Sequence, residues 1–148
     1  MKKFKLTPSI FIWLFGFCVL VSCSNDNDDV NIQTENDLQS ASWQITKFID
    51  SDVDETQNFN GYNFNFAGNG ALTASNGTNT YNGTWRIEDN NSEDYSQEDL
   101  SLIINFNLTN EFEELNEDWD FLSQSSSKME LIHISGGNGG TDYLTFEH

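Results

Sequence analysis

The sequence is poor in positive charge, and poor in cysteine and histidine. Its 148 residues carry 6 Lys plus Arg against 24 Asp plus Glu, a formal net charge of -18. Without clustered cations there is nothing to meet phosphates, so DNA and RNA are excluded as partners. Two His and two Cys make no Cys/His cluster, which disfavours zinc. No Gly-x-Ser-x-Gly elbow is present to present a serine nucleophile. Long helical periods are also missing between the apolar runs, which argues against a parallel βαβ topology. What is abundant is aromatic: 14% of residues, more than a solvated acidic tail carries, so the chain buries a modest core in a single domain.

The few cations are unevenly placed. Lys2, Lys3 and Lys5 precede an uncharged run from Ile10 to Val21, too short for a bilayer span of roughly 20 residues and right for a secretory signal. The run ends in Leu20-Val21-Ser22-Cys23, which resembles the lipobox of bacterial lipoproteins. The resemblance implies cleavage between Ser22 and Cys23, a diacylglyceryl group on the Cys23 thiol and acylation, for instance by palmitate, of its new amine. Cys18 lies inside the run and leaves with it, so the remaining chain has one cysteine and no internal disulfide. Each buried methylene of an acyl chain contributes about 0.8 kcal/mol, so two or three chains anchor durably.

Loss of residues 1–22 removes three cations and no carboxylate, leaving Lys47, Arg86 and Lys128 against 24 acids, a net charge of -21. The segment Ser24-Asn25-Asp26-Asn27-Asp28-Asp29 is too polar to pack and reads as a tether. It also resembles the acidic export signal of Bacteroidetes lipoproteins, which implies the outer membrane, with the cell surface favoured over the periplasmic face. As flexible coil, Ser24 to Ser40 holds the domain roughly 20–25 Å from the anchor. The expected organisation is a signal peptide over 1–22, an acylated Cys and acidic disordered tether over 23–37, and a β domain over 38–148.

From Trp43 onward the dominant period is two. Tyr62, Phe64 and Phe66 alternate with Asn63 and Asn65; Tyr81, Gly83, Trp85 and Ile87 alternate with Asn82, Thr84 and Arg86; Leu100, Leu102, Ile104 and Phe106 form a third set. Such alternation marks half-buried antiparallel strands. Further strands are expected at Trp43 to Ile49, Ala71 to Ser75, Trp119 to Ser123, Lys128 to Ile134 and Asp142 to Glu147. Gly68-Asn69-Gly70, Asn76-Gly77 and the glycine run from Gly136 to Gly140 supply turns between neighbours. Helical turns are expected at Thr34 to Ser40 and at Glu111 to Asn116, the latter with Phe112 and Leu115 inward. The fold class is all-β: about eight short strands in an antiparallel meander, closed as a small barrel or stacked as a sandwich.

Leu38-Gln39-Ser40-Ala41-Ser42-Trp43-Gln44-Ile45, then Phe64-Asn65-Phe66 leading to Gly70-Ala71-Leu72, then Gly83-Thr84-Trp85-Arg86-Ile87 resemble the lipocalin-like domains of Bacteroidetes lipoproteins. Glu114 to Trp119 and Ser135 to Leu144 look like a flavobacterial subgroup of them. The resemblance covers roughly residues 38 to 147 and implies a barrel that holds a small apolar ligand. Ala41 stands where that pattern has Gly, which relaxes the close approach under the first strand.

The ligand-binding candidates are Trp43, Phe64, Phe66, Trp85, Phe106 and Trp119, which either fill the barrel or line a cavity in it. Asp50, Asp52 and Asp54 have the opening spacing of a calcium loop. Glu55 then replaces its Gly and Gly61 its closing Glu, so they are weak calcium candidates only. His133 reads as structural. Glu113 with Glu117, or Asp118 with Asp120, would be the acid and base of a glycoside hydrolase, but among 24 carboxylates such pairs arise by chance. No catalytic residue and no cofactor is expected. The function expected is a lipid-anchored, non-enzymatic binding or interaction domain. Its partners are the membrane through the acyl chains on Cys23, and a small apolar ligand or an envelope protein. A carrier of an apolar cargo is the alternative, with a carboxylate hydrolase or a calcium-binding surface protein behind it.

Overall fold

A computed structural model of the chain describes residues 26–89, 100–136 and 140–148. The lipobox, Cys23 and the signal run lie outside the described residues. The elements are α1 (Asp26–Ser40), β1 (Ser42–Asp50), β2 (Val53–Asp54), β3 (Asn63–Phe66), β4 (Ala71–Ser75), β5 (Thr80–Asp89), β6 (Leu100–Phe106), β7 (Asp118–Gln124), β8 (Lys128–Ile134) and β9 (Thr141–Glu147). Two 3-10 turns, Thr56–Phe59 and Glu111–Leu115, complete them.

β3 to β9 pair antiparallel in chain order, and β1 pairs with both β3 and β9. The sheet therefore closes into an eight-stranded antiparallel barrel, with β2 a short extra strand on β1. All eight strands expected from the period-two pattern are present. Closure leaves no long unpaired edge. Its two seams differ: β1 and β9 match from Gln44↔Glu147 to Ile49↔Tyr143, whereas β1 and β3 share only Ser42↔Asn65 and Trp43↔Phe64.

The alternation in the sequence is the alternation of burial. β3 runs exposed, buried, exposed, buried, and β4 keeps Leu72 and Ala74 inside. In β5 Gly83 is required by its neighbour: a Cβ there would lie 2.5 Å from the Asn105 carbonyl oxygen and 2.8 Å from the Phe106 ring. The Gly of the Gly-Thr-Trp pattern thus makes room for a core phenylalanine on β6.

Two features depart from the sequence reading. The segment expected as tether is helical from Asp26 onward, not from Thr34. Thr34 and Leu38, one turn apart, are both buried against the barrel, which supplies the tertiary contact a short helix needs. The other is the Asp50 to Asp54 stretch, which forms a tight hairpin with Asp50 opposite Val53. Ser51 and Asp52 adopt φ of 48° and 71°, values that non-glycine residues rarely take. The buried Asp142 holds this turn by accepting a 2.8 Å hydrogen bond from the Ser51 amide.

Candidate functional site

The strand directions give the barrel two distinct ends. One carries α1, the β3–β4 turn and the β7–β8 turn. The other carries the β1–β2 hairpin and both 3-10 turns, and the Glu111–Leu115 turn lies across it as a plug.

All six aromatic candidates point inward. Trp43, Phe64 and Trp119 are fully buried, and Phe66, Trp85 and Phe106 nearly so. They sit among rings: Phe66 lies 5.5 Å from Trp85, Phe64 lies 5.4 Å from Phe146, and Trp119 lies 6.2 Å from Phe48. The centre of the network is Phe112 of the plug, which meets Phe59, Tyr62, Tyr81 and Phe106 at 5.3, 5.0, 4.7 and 5.1 Å. Aromatic pairs at these distances, edge-to-face or tilted, each add about 0.5–1.5 kcal/mol beyond area burial. The interior at the plug end is occupied by protein rings.

The three tryptophans among the described residues share a second task. Each indole N–H donates to a carbonyl of a connecting segment: Trp43 to Leu38 of α1 at 2.9 Å, Trp85 to Ala67 of the β3–β4 turn at 2.9 Å, and Trp119 to Leu115 of the plug at 3.1 Å. A buried indole needs such an acceptor. Each one thereby staples a loop or helix onto an end of the barrel.

The plug is also held by backbone mimicry. Asn116, just past it, donates from its side-chain amide to the Phe106 carbonyl at 2.9 Å and accepts from the Phe106 amide, completing the ladder where β6 runs out of partners. Asn110 caps the turn by accepting from the Phe112 amide.

Outside the plug the chemistry is acidic. The Glu114 carboxyl is pushed up to about 7 by partial desolvation and by the hydrogen-bonded Glu55 carboxylate, with Asp50 and Glu111 adding to the field. Asp54, by contrast, is held below the usual carboxylate range by the Thr56 hydroxyl and amide. On the far flank the His133 imidazole stands 3.4 Å from the Glu117 carboxylate and 3.0 Å from the Asp118 carbonyl. Tyr81 is raised through its hydrogen bond with Tyr62.

The carboxylates expected as pairs are otherwise engaged. Glu117 faces His133, and Asp120 accepts a 2.6 Å hydrogen bond from Ser101. The pair whose charges do interact is Glu55 with Glu114, where the Glu55 carboxylate helps to raise the Glu114 carboxyl. Its members sit on separate turns, and no spacing in the sequence marks them. Asp50, Asp52 and Asp54 share one hairpin without converging, and among the described residues no group of three His, Cys, Asp or Glu side chains is placed to hold a metal ion. A polar cleft of about 350 Å³ lined by Asp54, Thr56, Gln57 and Asn60 opens beside this hairpin. A smaller one of about 150 Å³ lies between α1 and the barrel, lined by Glu35, Gln39, Gly68, Gly70, Trp85 and Arg86. No described helix is long and apolar enough to cross a membrane.

No family model matches the chain. No curated protein matches it either. Among solved structures, it is similar to a DUF4847 family protein from Bacteroides vulgatus, with 19% identity and a TM-score of 0.49, over 78% of this chain and 96% of that one.

Proposed function

We propose that the chain is a lipid-anchored, non-enzymatic lipoprotein of the outer membrane whose lipocalin-like barrel serves as a rigid interaction domain, displayed at the cell surface. The observation that carries the choice of interaction over cargo is Phe112: a ring that packs among five others at the mouth of the barrel takes the place an apolar ligand would need. The anchoring half of the reading rests on the basic start, the apolar run and Leu20 to Cys23.

The helix changes the expected geometry of display. α1 starts at Asp26, and three extended residues reach at most about 11 Å, so an acyl group on Cys23 lies close to the start of α1. The helix end of the barrel then faces the bilayer, and the plug end faces outward with its carboxylates in water.

Intact and native mass spectrometry of the detergent-extracted protein from its host tests both halves. The expected species is residues 23–148 plus two or three acyl chains and nothing further, with Cys23→Ala abolishing the acyl mass. An unacylated wild-type chain would sink the anchoring, and a stoichiometric small apolar molecule on it would turn the domain into a carrier.

A further inference from the structure

We propose that Asn60 is a self-modification site: the Gly61 backbone nitrogen attacks the Asn60 side chain, which loses its amide and becomes a carboxylate, as aspartate or as its isoaspartyl isomer. The chemistry needs only water. A bond forms between the Gly61 nitrogen and the Asn60 side-chain carbonyl carbon. The side-chain carbon–nitrogen bond breaks, and ammonia leaves with the proton that Gly61 gives up. Water then opens the cyclic imide at one of its two carbonyls, restoring a backbone N–H and leaving a carboxyl group.

Four Asn-Gly pairs lie among the described residues, beginning at Asn60, Asn69, Asn76 and Asn82, and the fold treats them differently. At Asn69 the nucleophile is engaged: the Gly70 amide donates to the Ala67 carbonyl at 3.0 Å, and the Asn69 side-chain oxygen accepts from the Ala71 amide at 3.1 Å. At Asn76 the side-chain oxygen accepts from the Thr78 and Asn79 amides at 3.0 and 2.8 Å, and the Gly77 amide donates to the Ser75 hydroxyl at 3.4 Å. Asn82 and Gly83 lie within β5, paired to β4 on one side, with Gly83 also paired to β6 on the other. At the first pair, by contrast, neither the Asn60 side chain nor the Gly61 amide has a hydrogen-bond partner among the described residues. Both residues are exposed, and nothing lies within 4 Å of the place a Cβ on Gly61 would take.

The turn holds its flanks and frees its centre. Asn60 at φ -57°, ψ 128° followed by Gly61 at φ 81° has the angles of a type II turn, closed by the Tyr62 amide donating to the Phe59 carbonyl at 3.1 Å. Phe59 and Tyr62 are buried and pack on Phe112 at 5.3 and 5.0 Å, which pins both flanks in the core. The peptide between Asn60 and Gly61 is hydrogen-bonded through neither its carbonyl nor its N–H, so it can flip from type II to type I without breaking a bond. That flip takes ψ of Asn60 from positive to negative values and swings the Gly61 nitrogen toward the side-chain carbonyl carbon; glycine accepts both turn types. The site matters to one feature of the surface. The cleft beside the β1–β2 hairpin is lined by Asp54, Thr56, Gln57 and Asn60, with Asp54 its one carboxylate; conversion of Asn60 makes two. Because the reaction runs one way, the converted fraction records the time since folding.

Peptide-resolved mass spectrometry of the full-length protein, aged in heavy-oxygen water under mildly alkaline conditions and digested in ordinary water, reads each site separately, since the label enters where an imide has been opened. In the folded protein Asn60 should convert at least about tenfold faster than Asn69, Asn76 or Asn82, because hydrogen bonds must first be released at the others. In concentrated urea the sites lose these differences, and their rates should come within about threefold of one another. Asn60→Gln, whose longer side chain must close a larger ring, should abolish labelling at position 60 and leave the other sites unchanged. Conversion of Asn60 no faster than that of the other three in the folded protein would overturn the proposal. A lead for Asn60 that persists undiminished in urea would overturn it too, by assigning the reactivity to local sequence and not to the turn.

Discussion

The two ends of the barrel are closed by different chemistry. At the helix end, α1 docks through Thr34 and Leu38, and the Trp43 and Trp85 indoles donate to main-chain carbonyls; none of these groups titrates near neutrality. At the plug end one indole staple, from Trp119, is joined by a ring cluster beneath the turn and by Glu114, Glu117 and His133 above it. One end is thus closed by a docked helix and two indole staples, the other by a ring cluster with carboxylates above it.

The largest expected effect separates the two closures by packing. Phe112→Ala removes the ring at the centre of the cluster and should lower unfolding free energy by about 3–5 kcal/mol, against about 2–4 kcal/mol for Leu38→Ala at the other end. Urea denaturation of both variants measures the difference. Equal or reversed losses would mean that the helix, not the plug, carries the tighter closure. Next in size is Asn116→Ala, which strands the Phe106 amide and leaves its carbonyl to the Leu108 amide alone, and should cost about 1–3 kcal/mol. If that loss came without faster exchange at Phe106, the backbone mimicry would not be what holds the plug.

Most of the barrel was legible because its strands keep one face in and one face out. Phe64 and Phe66, and Leu72 and Ala74, each state their parity locally, and Phe112 with Leu115 stated theirs on a helical period. The rest depends on partners distant in the chain. β2 escaped notice because it is two residues long and no Gly marks the positive φ of its turn, the conformation of Ser51 and Asp52 being sustained by Asp142 from β9. The start of α1 read as solvated coil because its first residues are acidic, and only the docking of Thr34 and Leu38 makes them helical. At the site, the aromatic candidates were found by parity, but Phe112 as their centre was not, since its neighbours come from separate strands and turns. Glu55 and Glu114 were invisible among so many carboxylates because their contact exists only once the two turns pack.

The smallest expected effect is the one that most sharply distinguishes the ends. Glu114 has a folded-state value of about 7, above the ordinary 4.5, so between these pH values the folded protein binds more protons than the unfolded chain. Its contribution is complete below about pH 4.5, falls as pH rises through the window, and is gone above about pH 7. Because the side chain remains largely in water, screening reduces the effect to about 1 kcal/mol or less. Asp54 and Glu130, lowered by Thr56 and Lys128 respectively, act in the opposite sense and only below the usual carboxylate range, so they stay out of the window from pH 5 to 8, and the Glu114→Gln variant reads the share of Glu114. Urea midpoints across that range should decline less in Glu114→Gln than in the wild type, while Leu38→Ala should shift the whole curve without changing its slope. A Glu114→Gln curve parallel to the wild type would assign the decline to general repulsion among the carboxylates and erase the distinction between the two ends.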